Sequence, residues 1–468
     1  MSVTSSHGTS SPVLLEHGTS LETPARERRS KVTRTVGAAT VVAVVVGAGV
    51  GWSVLVLVAA VAVVALVLSF GTDRGLLYVL VLVPFGESLG VGPMTVGRMT
   101  ALLAVAVLGW KLATGRLRIP SFPPLTWLPA ALLVLVVVAS GLWASSFSGW
   151  AFAMGQVGLA LAFFAAYALL VDHPDQLPGL LRAYVLGAVF AAGYGFFQAA
   201  TGARAEGLQG DANIYALYQV AALPAAIALV RIHHGLVRWA WGLAMIPILV
   251  SVLTSQSRGA LLALMATAAV LAVLSPYRRF LLPAAALVGV LLYTVAPLID
   301  DRYAAERVSS DRASGRIDIW FTAWHTFLDR PWTGIGAGNF VPQSIDLLVR
   351  TPGVELVKSH LLLGSGIEVH NVYLEALVER GIFGLLTLAT LLLCTLAGLL
   401  IAARRFPSPA IEALAPMLVA FCVAAFFLSV TNSKLLWMLI GLSAALLTLS
   451  MPHPMPAAGP PPSPRSVR

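Results

Sequence analysis

One histidine, two arginines and a glycine-rich turn are the residues of this chain whose types and spacing could do chemistry. His370 stands in Val369-His370-Asn371-Val372-Tyr373-Leu374-Glu375, which closes a polar insertion just before a long apolar run. A histidine at the border between water and bilayer suits a base acting on a substrate held in the membrane by a lipid tail. At a helix start beside cations its protonated form is disfavoured, so it would be neutral at pH 7 and able to deprotonate a sugar hydroxyl. Arg258, in Ser257-Arg258-Gly259-Ala260, sits in a short hairpin between two apolar runs. Arg316, in Ser314-Gly315-Arg316, heads an apolar pattern of Ile317, Trp320, Phe321, Trp324 and Leu328 that predicts an amphipathic helix ending at Pro331. An arginine in a helix's first turn adds a planar fork to amides that already favour an anion, which is a phosphate-binding arrangement.

Each residue has a plainer reading beside this one. Arg258 is also what an interfacial anchor looks like, with its charge drawn to water or lipid phosphate. Arg316 could pair with Asp311 or Asp318. His370 could be a structural histidine donating a hydrogen bond. Gly334-Ile335-Gly336-Ala337-Gly338-Asn339-Phe340 resembles a phosphate loop, but no strand precedes it and no lysine follows, so a nucleotide fold is excluded. It is either a sharp turn or a nest of amides for an anion, through Gly336, Gly338 and Asn339. A third segment, Arg204 to Asn213 with Gly207-Leu208-Gln209-Gly210-Asp211, has turn chemistry and polar groups suited to sugar hydroxyls: Arg204, Asp211 and Asn213. Glu375, Glu379 and Arg380 are expected to point away from the apolar face of Tyr373, Leu374, Leu377 and Val378. No carboxylate pair for acid–base work is therefore expected, nor an Asp-x-Asp motif for a metal. The expectation is a metal-free mechanism without cofactors, built from arginines and one histidine.

The elements that must position these groups are membrane helices. Hydrophobic residues make up 58% of the chain, charged residues 11%, and the mean hydropathy is +0.85. Soluble domains carry about 25% charged residues, so composition alone predicts an all-α polytopic membrane protein and gives no sign of a nucleic-acid partner. Cys394 and Cys422 both lie in apolar runs, which excludes a disulfide framework or a zinc site. With about 20 residues per crossing, candidate spans fall at roughly 35–50, 52–70, 75–92, 96–113, 126–143, 153–171, 180–200, 212–230, 238–254, 259–274, 280–297, 372–402, 411–430 and 434–450. Merging doubtful neighbours gives about 12–14 transmembrane helices. The basic groups Lys111/Arg116/Arg118, Arg231/Arg238, Arg278/Arg279 and Arg404/Arg405 occupy alternate loops and so all fall on one side, which puts both termini in the cytoplasm and the insertion outside. The expected organisation is a disordered basic tail (1–34), a transmembrane bundle (35–297), one large extracytoplasmic loop carrying short helices and the catalytic groups (298–370), further transmembrane helices (371–450) and a Pro-rich tail (451–468).

Taken together, four blocks in order resemble the O-antigen ligase and Wzy-type polymerase family: Gly210-Asp211-Ala212-Asn213, Ser257-Arg258-Gly259-Ala260, Arg316 with Trp320 leading to the glycine-rich turn, and His370-Asn371-Val372-Tyr373-Leu374-Glu375 with Gly381 and Gly384. The resemblance implies a helical bundle in the cell membrane and an undecaprenyl-diphosphate-linked glycan as donor. It implies that Arg258 and Arg316 hold the diphosphate and that His370 activates an acceptor hydroxyl, with Asn371 beside it as a substrate contact. A glycan, a lipid or a protein could supply that hydroxyl. A transporter or flippase for a lipid-linked glycan is the competing expectation, and Glu87 beside Pro84 in a broken span is the feature that favours it.

Overall fold

A computed structural model of the chain describes residues 72–87, 89–91, 94–274, 279, 316–354 and 366–451. The expected spans at 35–50, 52–70 and 280–297, the N-terminal tail and the tail beyond 451 lie outside the described residues, as do Asp311 and Ser314. The fold is all-α and polytopic. Its helices are α1 (Thr72–Leu82), α2 (Val96–Ala113), α3 (Pro124–Ala139), α4 (Phe147–Leu170), α5 (Leu177–Ala200), α6 (Ala212–Ile232), α7 (Gly235–Thr254), α8 (Arg258–Leu274), α9 (Arg316–Asp329), α10 (Phe340–Arg350), α11 (Val372–Arg405), α12 (Pro409–Glu412), α13 (Leu414–Ala424) and α14 (Lys434–Leu449). Among the described residues eight helical segments are long and apolar enough to cross a membrane, and the shorter apolar α8 and α14 accompany them.

One expected span is overturned. The run at 75–92 stops being α-helix at Leu82, turns through a 3₁₀ segment (Val83–Gly86) and enters a two-residue hairpin pairing Gly90–Val91 with Met94–Thr95. Pro84 explains the break, because it has no N–H to continue the ladder.

Helices α6 and α14 are buried along most of their length and form the centre of the bundle. Membrane helices gain no hydrophobic drive from each other, so close packing of small residues matters. Gly441 of α14 is a case in point: a Cβ there would stand 2.8 Å from the Phe164 carbonyl oxygen of α4.

Polar contacts sort to the two ends of the bundle. At one end Lys111 pairs with Asp73, and Arg231 pairs with Glu412 at 2.6 Å. At the other the loops carrying the candidate chemistry meet. Trp143 donates through Nε1 to the Thr333 carbonyl at 3.0 Å, and the Ser146 amide donates to Asn339 Oδ1 at 2.5 Å.

The glycine-rich turn docks this second end together. Gly381 has φ 65° and interrupts α11, splitting a nine-residue entry helix, Val372 to Arg380, from the apolar remainder. The turn after Pro331 packs into that kink: the Ile382 amide donates to the Pro331 carbonyl at 2.8 Å, and a Cβ on Gly381 would lie 2.2 Å from the Trp332 carbonyl oxygen. The Glu379 carboxylate accepts from the Gly338 amide at 2.8 Å and from the Phe340 amide at 3.1 Å. The Gly336 amide donates to the Glu379 carbonyl at 2.8 Å, and the Ala337 amide to Ser140 Oγ at 3.1 Å. Gly338 and Gly336 must be glycines here for two reasons. Both have positive φ, and a Cβ would strike Gly149 or Ala144.

Two outcomes follow. Glu379→Ala orphans two amides, at ~1–3 kcal/mol each, so it lowers the unfolding temperature and exposes the 331–340 turn to protease; an unchanged melting curve would remove the clamp. Cysteines at the exposed positions Ser148 and Thr201 react from one side of the membrane, and those at Thr114 and Asp172 only from the other. A mixed pattern contradicts the two-ended sorting.

Candidate active site

His370 lies immediately before the entry helix of α11, with φ 53°. That left-handed conformation is uncommon outside glycine and persists where the surroundings hold it. Two contacts do so. The His370 amide donates to Ser429 Oγ at 3.0 Å. On the following residue, Asn371 Oδ1 caps the helix, accepting from the Tyr373 and Leu374 amides at 3.0 Å each. Asn371, expected to contact substrate, thus spends its side-chain oxygen on holding the histidine's backbone.

Arg316 reaches the same place from α9. The Trp320 indole, one turn along, donates to the Val369 carbonyl at 3.0 Å and pins α9 beside the histidine segment. The positive charge of Arg316 acts on His370, as does the negative charge of Asp211 at the start of α6. Burial is the largest influence on the imidazole, Arg316 the second, and both lower its pKa below the ordinary 6.5, while Asp211 opposes them. These influences favour the neutral imidazole, with burial rather than the helix start the larger cause. Glu368 stands on the other side, its Oε2 3.9 Å from His370 Nδ1, within ion-pair range but too long for a hydrogen bond. Burial, then Glu375 and Asp211, push its carboxyl above the usual range; with 55% of the side chain exposed, water moderates the rise.

The buried face of α9 is Ile319, Thr322, Ala323, Thr326 and Phe327. The aromatic stripe predicted from the sequence, with Phe321 and Trp324, is turned outward and exposed.

Arg258 starts α8. Its neighbour Gly259 leaves no room for a ligand, because Phe427 fills the space: a Cβ would stand 2.8 Å from that ring. The hairpin is held by Arg204, whose Nε donates to the Ser255 carbonyl at 2.5 Å and whose Nη2 donates to Asn213 Oδ1 at 3.2 Å and the Gln256 carbonyl at 3.4 Å. Asp211 caps α6 through the Asn213 and Ile214 amides. Arg204 and Asn213 thus form a strut that places Arg258. Below Arg258 on the same helical face, Leu262, Met265, Ala266 and Ala269 line an open apolar groove of about 640 Å³, closed opposite by Trp320 and Phe426 and reaching Asn371.

On the cavity side the sequence reading is corrected. Glu379 and Arg380 do not point away but are buried, and Glu375 is half-buried. Glu375, Glu379 and Arg380 line a polar cavity of about 620 Å³ with Glu87, Glu368 and Lys434. The physical reason is enclosure. The entry helix is flanked by the 331–340 turn on one side and the 428–433 connection on the other, so the face carrying Glu379 and Arg380 is covered. An acidic pair on one helix therefore does exist. Glu375 Oε1 accepts from Thr431 Oγ1 at 3.2 Å, while Glu379 is committed to the glycine-rich turn. That commitment also answers the question of the nest: the amides of Gly338 and Phe340 are taken by the protein's own carboxylate. Asn339, fully buried, is locked to Ser146 and Ala337. The missed carboxylates had a signal in the sequence. Charged residues within a turn of a membrane helix are costly to place and tend to be functional.

The structure thus unites His370, Arg316 and Asp211, adds Glu368 and Glu375 to them, and supports Arg258 by the Arg204–Asn213 strut. Residues 243–389 match the family model described as O-antigen ligase. The match spans Arg258, Arg316, the glycine-rich turn and His370, and excludes Arg204, Asp211 and Asn213. No match was found among curated proteins. With His370, Arg316 and Arg258 inside the matched segment, the chain is a multi-pass membrane protein whose residues 243–389 match the O-antigen ligase family, which supports a function of the membrane glycan ligase or polymerase type.

Proposed function

We propose that this protein moves a glycan from an undecaprenyl-diphosphate-type carrier to an acceptor hydroxyl at the outer face of the cytoplasmic membrane. The observation that carries this reading is an apolar groove along α8, the helix that Arg258 starts, which reaches Asn371 and Trp320, the first next to His370 in the chain and the second one turn from Arg316. An isoprenoid chain suits the groove, and a diphosphate at its head would meet the two arginines. The orientation rests on the basic loops, which share the end of the bundle away from the site.

His370 takes the proton from the acceptor hydroxyl. The oxygen attacks the anomeric carbon, and the bond from that carbon to the diphosphate oxygen breaks with inversion. The electron pair leaves on the lipid diphosphate, where Arg316 and Arg258 stabilise the growing charge. The proton on His370 makes an imidazolium facing Asp211 and Glu368, which favour it. Asn371, Arg204 and Asn213 position these groups, and Gly336, Gly338 and Asn339 dock the loop that carries them. The reaction calls on no cofactor. The competing transport reading loses its main feature, because Glu87 is ion-paired with Lys434.

Purified protein given lipid-linked repeat units tests the reading. A product ladder on a gel means polymerisation, and a single shift that needs an added lipid or protein acceptor means ligation; no transfer in either format refutes the proposal. His370→Gln keeps a hydrogen-bonding side chain but cannot accept a proton at neutral pH, so activity drops by about 10²–10⁴-fold. Retention of more than about a tenth makes His370 a positioning residue. Arg316→Lys keeps the charge and loses the fork, so it is impaired, and Arg316→Ala more so. Activity survives EDTA; loss restored by magnesium would assign the cation role to a metal.

The pH profile has a worked sign. A base with a lowered pKa is neutral through pH 7, so the rate falls only on the acid side, with an inflection below 6.5. Arg316→Gln removes one cause of the lowering, so its residual activity inflects at higher pH. An inflection that stays put separates Arg316 from the base.

A further inference from the structure

The groove and the arginines account for the donor side of His370, but not for the polar cavity on its other side. That cavity of about 620 Å³ is within the ~300–1,000 Å³ range of small-molecule sites. It opens beside the base. Glu368 and Ser429 line it, and these are the two residues that flank His370, one at Nδ1 and one at the amide.

Two of its lining side chains are buried and have no hydrogen-bond partner among the described residues. Arg380 is 5% exposed, with Nε and Nη2 both unpartnered. Gln209 is 9% exposed, with its amide nitrogen and oxygen both unpartnered. Buried polar groups in folded proteins are nearly always satisfied, so two such residues facing one cavity point to a ligand that satisfies them. The other charged groups are engaged: Lys434 with Glu87, Glu379 with the glycine-rich turn, Glu375 with Thr431.

The chemistry of that ligand follows from the charge of the wall. Four carboxylates face two cations, and Arg380 already lies in the field of Glu375 and Glu379. Lys434 is paired with Glu87, so an anionic ligand would have to draw on a single guanidinium already shared by Glu375 and Glu379, and it gains little there. A hydroxyl is different, because it accepts from a guanidinium and donates to a carboxylate or an amide oxygen. We propose that this cavity is the acceptor subsite and takes an uncharged, hydroxyl-rich sugar residue, held by Arg380 and Gln209 and presenting one hydroxyl to His370. The assignment rests on the glycan-transfer reading above. It deepens that reading by naming the acceptor class: a neutral sugar rather than a uronic acid or a phosphorylated sugar.

The test uses the full chain in nanodiscs, with a panel of neutral trisaccharides and matched trisaccharides carrying one uronic acid. Binding is read by tryptophan fluorescence. It is read independently by protection from maleimide of Ser148→Cys, at the exposed rim, combined with Cys394→Ala and Cys422→Ala. At least one neutral sugar is expected to bind and to slow labelling, roughly tenfold more tightly than its acidic match. Arg380→Met and Gln209→Leu are each expected to weaken it by about tenfold or more. The labelling arm does not depend on either variant folding. The proposal is overturned if the acidic sugars bind as well as the neutral ones, if no neutral sugar protects Ser148→Cys, or if both variants bind sugar like the parent. Geranyl diphosphate serves as the donor-side probe. Its failure to bind the parent would count against the donor reading alone, and its retention by Arg380→Met shows that a lost sugar site is local.

Discussion

The site depends first on one carboxylate. A non-helical turn beside a membrane bundle must satisfy its amides within the protein, because the alternative is several kcal/mol for each orphan at bilayer depth. Glu379 meets this constraint by accepting two amides of the 331–340 turn, and the kink at Gly381 admits the same turn from below. That turn carries the end of α9, and Trp320 ties α9 to Val369. Arg316 therefore arrives beside His370 only because the turn is seated. A nest that could have bound a ligand's phosphate is used instead to fix the turn beside the candidate residues.

His370 then divides two environments. Toward α8 and α9 lie the cations and an apolar groove; toward the cavity lie carboxylates, amides and hydroxyls. This asymmetry matches the charge flow of a displacement in which an anion leaves on one side and a proton is collected on the other. A lowered imidazole pKa serves the first half of that step. Asp211 and Glu368 serve the second, since they favour the protonated ring once it forms. A histidine in the left-handed region makes this geometry specific, because only a backbone held by Ser429 and by the Asn371 cap keeps the ring between the two surfaces.

The membrane helices were legible because twenty apolar residues have few alternatives. The run at 96–113 is the helix Val96–Ala113, and Pro124–Ala139, Ala212–Ile232 and Lys434–Leu449 fall within a few residues of expectation. His370, Arg316 and Arg258 were legible because a polar group at a membrane border has no packing role to hide behind. Two kinds of feature were not. The span at 75–92 failed because apolar composition outweighed Pro84 in the reading. Glu379 and Arg380 failed because a helical wheel assigns charge to the wet face, and nothing local reveals that this face is covered by distant segments. Enclosure is a long-range property, set by Ser140, Phe340 and Thr431, which are distant in sequence.

The separation of donor and acceptor surfaces has a consequence for what such a protein can make. On the proposed mechanism, ligation and polymerisation share the lipid diphosphate, the displacement and the base, so they place the same demands on Arg258, Arg316 and His370. They differ only in the molecule that offers a hydroxyl. That difference is read at the cavity, where Gln209 and Arg380 are buried without partners and where a change of one side chain alters the fit without touching the leaving group. Specificity can therefore shift while the chemistry stays fixed, because the two are carried by different walls around one histidine.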